Sequence, residues 1–427
     1  MKHFCEMNHD ELMEQYKLAS VDFERCKQME LHLDMSRGKP SKAQLELSMG
    51  LLDMPLDILT DYMSDNIDSR NYGTLEGLPE CRRMFADILG VKPEQVFAGG
   101  NASLTLMYDT ISKAFTHGLL HSEMPWSKRE KVKFICPAPG YDRHFAICKT
   151  FGIEMITVDM TPDGPDMDTV EKLILDEDVR GMWCVPKYSN PDGIICSHDT
   201  IRRIASMKPA ASDFLLMWDN AYCVHEFDGE FVEFEDILSE CEKYGNKDMV
   251  FEYCSTSKIT FPGAGVACFA CSEDNMAYMK KLIGVQSISF DKMNQLRHTR
   301  FLKDRAHTIE HMKKHAAIMK PKFDTVIEYL DREIAPCGFA RWHKPTGGYF
   351  ISLYTMDGCA KRTHALCKEA GVVLTAAGAT YPYGNDPHDS NMRIAPSLPP
   401  IEELRSAMGV LCVCLRLAAL EKLLRIG

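Results

Sequence analysis

Between about residues 50 and 300 the chain alternates short apolar runs with longer helical patterns, and this alternation restricts the fold more than any other feature of the sequence. The clearest runs lie at 132–136, 154–158, 182–185, 215–218, 249–253 and 266–270. Each is too short for a stable helix and rich in residues that suit a strand covered on both faces. Strands separated by helix-length segments must be joined by crossovers, which predicts a mainly parallel sheet with helices on both sides.

The expected class is therefore α/β: a three-layer large domain around a mainly parallel sheet, plus a smaller α+β C-terminal domain. Residues 1–46 are assigned to an N-terminal helix (about 6–34) and a loop at Ser36-Arg37-Gly38-Lys39-Pro40 that packs with the small domain. The large domain is assigned to 47–303 and the small one to 304–427, entered through a charge-rich helix around 304–332. A chain of 427 residues is long enough to bury both cores. Near the C-terminus, Val410–Leu420 is interrupted by Arg416 and falls short of the ~18–20 apolar residues that span a bilayer, so it reads as an amphipathic helix on the small domain.

Composition narrows the function classes. A net charge of −12 argues against a general nucleic-acid binder, which needs a positive face. The first residues lack the apolar core of a signal peptide, and export is not expected. Seventeen cysteines stand in apolar contexts such as Leu411-Cys412-Val413-Cys414-Leu415, without the paired Cys-x-x-Cys motifs of a metal site. Free thiols in a reducing cytoplasm are expected, and no metal.

The chemistry-bearing residues follow the apolar runs. Tyr253-Cys254-Ser255-Thr256-Ser257-Lys258 takes a strand into small hydroxyl residues and a lysine, and a lysine becomes a nucleophile when partial burial lowers its pKa. Asp219 ends the run Phe214–Trp218, at the carboxyl end of a buried strand, where open α/β sheets bind ligands. Tyr222 follows three residues later, and Asn190-Pro191-Asp192-Gly193 makes the turn after the run at 182–185. Val96-Phe97 lead into Ala98-Gly99-Gly100-Asn101-Ala102-Ser103 and then a helical pattern, a turn whose backbone amides suit a phosphate. Each piece has a plain structural alternative. Loop lysines are usually solvated, a strand-end aspartate often caps a helix, and Gly-Gly-Asn is a common turn.

Together Asn190, Asp219, Tyr222 and Lys258 resemble the active-site set of the pyridoxal-phosphate aminotransferases of fold type I, the aspartate aminotransferase superfamily. Within it the chain is most similar to an unusual bacterial aspartate aminotransferase subgroup related to MocR regulators. The resemblance covers most of the chain, from Arg70-Asn71-Tyr72-Gly73 to Ser390-Asn391-Met392-Arg393. It implies a cytoplasmic homodimer with shared active sites that moves an amino group from an amino acid, aspartate or glutamate favoured, to a 2-oxo acid. Lys258 would form the Schiff base and carry the proton, Asp219 would pair with the ring nitrogen, and Asn190 and Tyr222 would bond the ring hydroxyl oxygen. Tyr141 would stack on the ring. Gly100, Asn101, Ala102, Ser103 and Ser255 would hold the phosphate, with Tyr72 reaching in from a second subunit. Arg393 would clamp the substrate α-carboxylate, with Asn190 beside it and a backbone contact from Gly38.

One departure bears on the cofactor. Typical members carry a phosphate-binding arginine eight positions after the lysine, and here that position is Val266. A second cation is also needed for a dicarboxylate substrate, and Lys292, Arg297 and Arg300 are candidates from a neighbouring subunit. Other classes stay open in principle: a cofactor-binding regulatory module of the MocR kind, a lyase or decarboxylase using the same lysine, or an NAD-dependent oxidoreductase. Only about 40 residues precede the large-domain pattern, too few for a DNA-binding unit, and Gly99-Gly100-Asn101 does not supply the Gly-x-Gly-x-x-Gly turn of a dinucleotide fold.

Overall fold

The structure is a computed structural model that describes residues 2–53, 63–228 and 230–425. Its centre is an eight-stranded sheet in the order Val96–Ala98, Ala267–Ala270, Val250–Ser255, Leu215–Asp219, Val179–Cys184, Lys133–Ala138, Glu154–Thr161 and Gly164–Pro165. The middle strands Val179–Cys184, Leu215–Asp219 and Val250–Ser255 are buried at every position, which is why they read as mainly apolar runs, with Arg180 and Glu252 as buried ionisable groups inside them. All six predicted strands are present. Ala267–Ala270 runs antiparallel to both its neighbours, because the chain doubles back through Thr256–Lys258 and Pro262–Ala264 without a crossover helix.

This topology places the strands Val96–Ala98, Lys133–Ala138, Val179–Cys184, Leu215–Asp219 and Val250–Ser255 in one direction. Their following turns therefore emerge along one edge of the sheet, where an open α/β fold binds its ligands. Separate apolar cores cover the two faces of the sheet.

A third core joins the N-terminal helix His9–Gln28 to the C-terminal elements. That helix starts at Asn8, whose side chain accepts from Glu11 N while Glu11 returns the bond to Asn8 N, a reciprocal cap. The antiparallel strands Arg341–Trp342, Ile351–Tyr354 and Asn391–Ile394 form a small sheet, and Leu33–Asp34 pairs with Val372–Val373. The helix expected over 304–332 is Arg305–Tyr329, continued by a π-helical turn at Leu330–Ile334.

The C-terminal helix differs from expectation. It runs Ile401–Leu424, and nearly every residue from Val410 to Leu420 is buried, so it is a core helix and not an amphipathic one. The reason is that His9–Gln28, Arg305–Tyr329 and Ala360–Glu369 pack around it. Arg416 escapes to a partly exposed position near Glu333, 3.7 Å away. Among the described residues no helix is long and apolar enough to cross a membrane. All seventeen cysteines are free, and only Cys5 is exposed.

Candidate active site

The turns at the sheet edge and two segments from the C-terminal core enclose a cavity of about 470 Å³. Lys258, Asp219, Tyr222, Asn190, Tyr141, Gly38 and Arg393 all line it, although they span more than 350 positions of sequence. Lys258 is brought there by the 3-10 turn Thr256–Lys258, which Ser255 caps by accepting from Ser257 N. Its Nζ lies 4.7 Å from the ring centroid of Tyr222 and 5.8 Å from that of Tyr349. Burial lowers the lysine pKa, outweighing the opposing attraction of Asp219, and the positive charge of Arg393 pushes in the same direction. The shift favours the neutral amine, the form that reacts with a carbonyl.

Asp219 is buried, and its Oδ2 accepts from His144 Nε2 at 3.0 Å. The His144 ring stacks on Trp183 at 4.2 Å and 6° between planes, which holds the imidazole in that orientation. Asp219 Oδ1 is buried without a partner among the described residues. A buried carboxylate oxygen left unpaired is costly, so the site is built for a donor that comes with a ligand. Tyr222 is buried, and desolvation raises its phenol far above the usual range, keeping it a neutral donor. Burial likewise pushes Tyr141 up to about 12.

Arg393 comes from the strand Asn391–Ile394 and is 7 % exposed. Its Nη1 donates to Asp142 Oδ1 at 2.9 Å and to Asn190 Oδ1 at 3.2 Å, and its guanidinium lies 4.8 Å from the Phe350 ring. Its Nε donates to Thr375 Oγ1 at 3.4 Å, so these contacts fix the fork and leave Nη2 without a hydrogen bond among the described residues. Gly38 is required beside it, since a Cβ there would stand 2.5 Å from Phe350 Cζ. Arg37, Lys39 and Arg143 line the same cavity, making it locally positive within an acidic protein.

The glycine turn adjoins the turn that carries Lys258, although Gly100, Asn101, Ala102, Ser103 and Ser255 do not line the cavity that holds the lysine. Gly100 has φ +72°, a left-handed backbone that glycine adopts without strain. The helix Ser103–Thr116 begins behind it with Ala102 at the N-cap and no side-chain cap, which leaves its first amides open. Alanine there costs roughly 1 kcal/mol relative to serine or asparagine, so the position favours an external acceptor. Ser255 is buried, and Ser257 donates to Asn101 O at 3.5 Å. Val266 is buried and offers no charge.

Some expected residues lie elsewhere. Tyr72 is 80 % exposed and does not line the cavity of its own chain. Lys292 is buried and donates to Gly73 O at 2.9 Å, while Arg300 bonds Glu80 at 3.2 Å. Arg297 lines a second cavity, next to Gly100. Sequence reasoning missed His144 and Arg143. Both follow Tyr141 on the first turn of the helix Asp142–Phe151, and only the crossing of that helix over Asp219 distinguishes them from ordinary surface residues.

The aspartate amino-transferase family matches residues 7–426 of the chain. An aspartate aminotransferase of Corynebacterium glutamicum is 47% identical over 400 residues, 93% of this chain and 92% of that protein. The crystal structure of an aspartate transaminase from the same species superposes with a TM-score of 0.96 at 45% identity, covering 98% and 99% of the two chains. An α-aminoadipate aminotransferase of Thermus thermophilus, solved in complex with N-(5'-phosphopyridoxyl)-L-leucine, shares the fold at a TM-score of 0.70 and 20% identity, over 92% of this chain and 93% of that one. The architecture is thus that of the fold type I α/β transferases. The chain belongs to the aspartate aminotransferase family, and it is an aminotransferase.

Proposed function

We propose that this aminotransferase uses pyridoxal 5'-phosphate held against Lys258, and that it takes its amino group from aspartate or glutamate and passes it to a 2-oxo acid. The observation that carries the reading is the pairing of a pKa-lowered Lys258 with a buried Asp219 whose Oδ1 has no partner. The residues present fit the cofactor: Asp219 Oδ1 suits a protonated ring nitrogen, Tyr222 and Asn190 suit the ring oxygen, and Tyr141 suits the ring face. The amides of Gly100 to Ser103, with Ser255, suit a phosphate at a helix N-terminus. When bound, pyridoxal phosphate supplies an electron sink for the pair left behind when a proton departs from the substrate's α-carbon.

The chain's own residues do the rest. Lys258 would hold the cofactor and, once released from it, would move the proton at the α-carbon, a task its lowered pKa suits. Asp219, oriented by His144, holds positive charge at the ring nitrogen. Arg393 meets the α-carboxylate through Nη2, and its contacts to Thr375, Asp142 and Asn190 set the direction of approach. The distal carboxylate of aspartate or glutamate is met by Arg143 and Arg37 of the same chain. Neither side chain makes a hydrogen bond or ion pair among the described residues, and both residues line the cavity.

The assembly is proposed as a homodimer. Tyr72, Val285 and Ile288 are 80 %, 90 % and 64 % exposed. The contact of Lys292 with Gly73 keeps their two segments together, which forms an apolar patch suited to a second copy that receives Tyr72. The site test is borohydride reduction of the cofactor-loaded protein followed by peptide mass spectrometry. The expected adduct is on Lys258, and the visible absorption should change on adding aspartate or glutamate and return with 2-oxoglutarate. An adduct on another lysine, or absorption that no amino acid alters, refutes the proposal.

A further inference from the structure

The phosphate cradle lacks a cation on the strand side, where Val266 stands. A phosphate dianion in a protein of net charge −12 needs more than the partial charge of one helix end. A second cavity of about 520 Å³ lies on the outer side of the glycine turn, walled by Gly100, Asn101, the turn Gly263–Val266 and one face of the helix Lys292–Leu302.

That helix is tied to both walls of the cradle. Asn294 Nδ2 donates to Ala264 O at 3.0 Å and Gly265 O at 3.1 Å. Gln295 donates to Ala98 O at 3.2 Å and accepts from Leu78 N at 2.8 Å, which fixes the helix to the strand that leads into Gly99-Gly100. Arg297 is three positions beyond Asn294, on the same helix face, and lines this cavity. The other basic residues of the helix are committed. Lys292 bonds Gly73 O, Arg300 bonds Glu80, and buried His298 lies between Thr260 Oγ1 and Asn294 O, each at 2.9 Å. Asp291, also on the cavity wall, caps the helix through Asn294 N. Arg297 alone among these cations makes no hydrogen bond or ion pair among the described residues.

We infer that Arg297, reaching across this cavity from the helix that braces the glycine turn, supplies the phosphate-binding cation that Val266 does not. The inference rests on the cofactor reading above. A guanidinium suits the role because its planar fork meets two phosphate oxygens at once and keeps its charge at every working pH. It moves the cation from the strand after the lysine to a neighbouring helix, while the amides of the turn remain the first contacts.

The test compares two ligands that differ only in the phosphate. The apoprotein, as wild type, Arg297→Ala and Arg297→Lys, is titrated with pyridoxal phosphate and with pyridoxal, and the dissociation constants are read from absorbance. Arg297→Ala should weaken pyridoxal phosphate by about 10- to 100-fold, the worth of a charge-assisted hydrogen bond, with pyridoxal unchanged. Arg297→Lys should recover part of the loss. Unchanged affinity for pyridoxal phosphate in Arg297→Ala, or an equal loss for both ligands, overturns the inference. If Arg297→Ala does not fold, Arg297→Lys decides alone: a pyridoxal phosphate to pyridoxal affinity ratio equal to wild type overturns it, and a reduced ratio supports it. Failure of the wild type to bind pyridoxal phosphate at all would refute the cofactor reading itself, a distinguishable result.

Discussion

His144 Nε2 donates to Asp219 Oδ2 at 3.0 Å, and this single bond leaves Asp219 Oδ1 as a buried oxygen without a partner among the described residues. The stack of His144 on Trp183 makes the arrangement rigid, because the imidazole cannot rotate without losing its ring contact. The two oxygens of one carboxylate thus differ, one bonded to the protein and one buried without a partner among the described residues.

Asp219→Asn keeps the shape and removes the charge. A preorganised electrostatic contact of this kind is worth roughly 3 kcal/mol, so the half-reaction with aspartate should slow by about a hundredfold or more. His144→Phe retains the stack and loses the bond, and a smaller loss of about tenfold is expected. Rapid-mixing absorbance measures both, and rates equal to wild type in Asp219→Asn would remove Asp219 from the mechanism.

Arg393 and Arg143 should separate by substrate. Arg393→Ala loses the contact common to all amino acids, so aspartate, glutamate and alanine should all bind about 10- to 100-fold more weakly. Arg143→Ala should weaken aspartate and glutamate but leave alanine unchanged. Saturation of the half-reaction with each amino acid gives the constants, and a uniform effect of Arg143→Ala would assign the distal carboxylate to another cation.

Gly38→Ala places a methyl 2.5 Å from Phe350 Cζ and must displace the ring that supports Arg393. Overpacking of this sort costs roughly 1–3 kcal/mol. KM should rise for every amino donor, with a smaller change in kcat. Steady-state kinetics with two donors checks this, and unaltered KM values would show that the loop carries no positioning role.

Glu252 gives a pH dependence of stability. It is buried beside Asn220, which donates to Oε1 at 2.8 Å, and burial pushes its carboxyl up to about 8 from an ordinary 4.5. The folded state therefore holds a proton that the unfolded chain releases. The stability from this group is complete below 4.5 and is lost as pH rises through about 8. Glu252→Gln keeps the neutral form, so its Tm should decline less than wild type over this window and exceed it at the alkaline end. Parallel Tm curves for the two proteins would place the carboxyl at an ordinary value.

The strands were legible in the sequence because a buried parallel strand is mostly apolar on both faces, as Leu215–Trp218 is. Asp219 stood out for the same reason, since it ends such a run with a charge that stability alone does not favour, whereas Lys258, three residues past Ser255, stood out only together with Asn190, Asp219 and Tyr222. The C-terminal helix was misread as amphipathic, since Arg416 breaks the apolar run, and only the three helices around Ile401–Leu424 reveal a core. Neither Asp219's partner nor Arg393's orientation was written locally. His144 meets Asp219 from 75 positions away and Arg393 meets Asn190 from 203, and contacts of that kind depend on which helix crosses which strand. Local periodicity determined the layers. The tertiary packing decided which charges are paired, which are buried without a partner and which face the cavity, because desolvation and hydrogen-bond geometry exist only once distant segments meet.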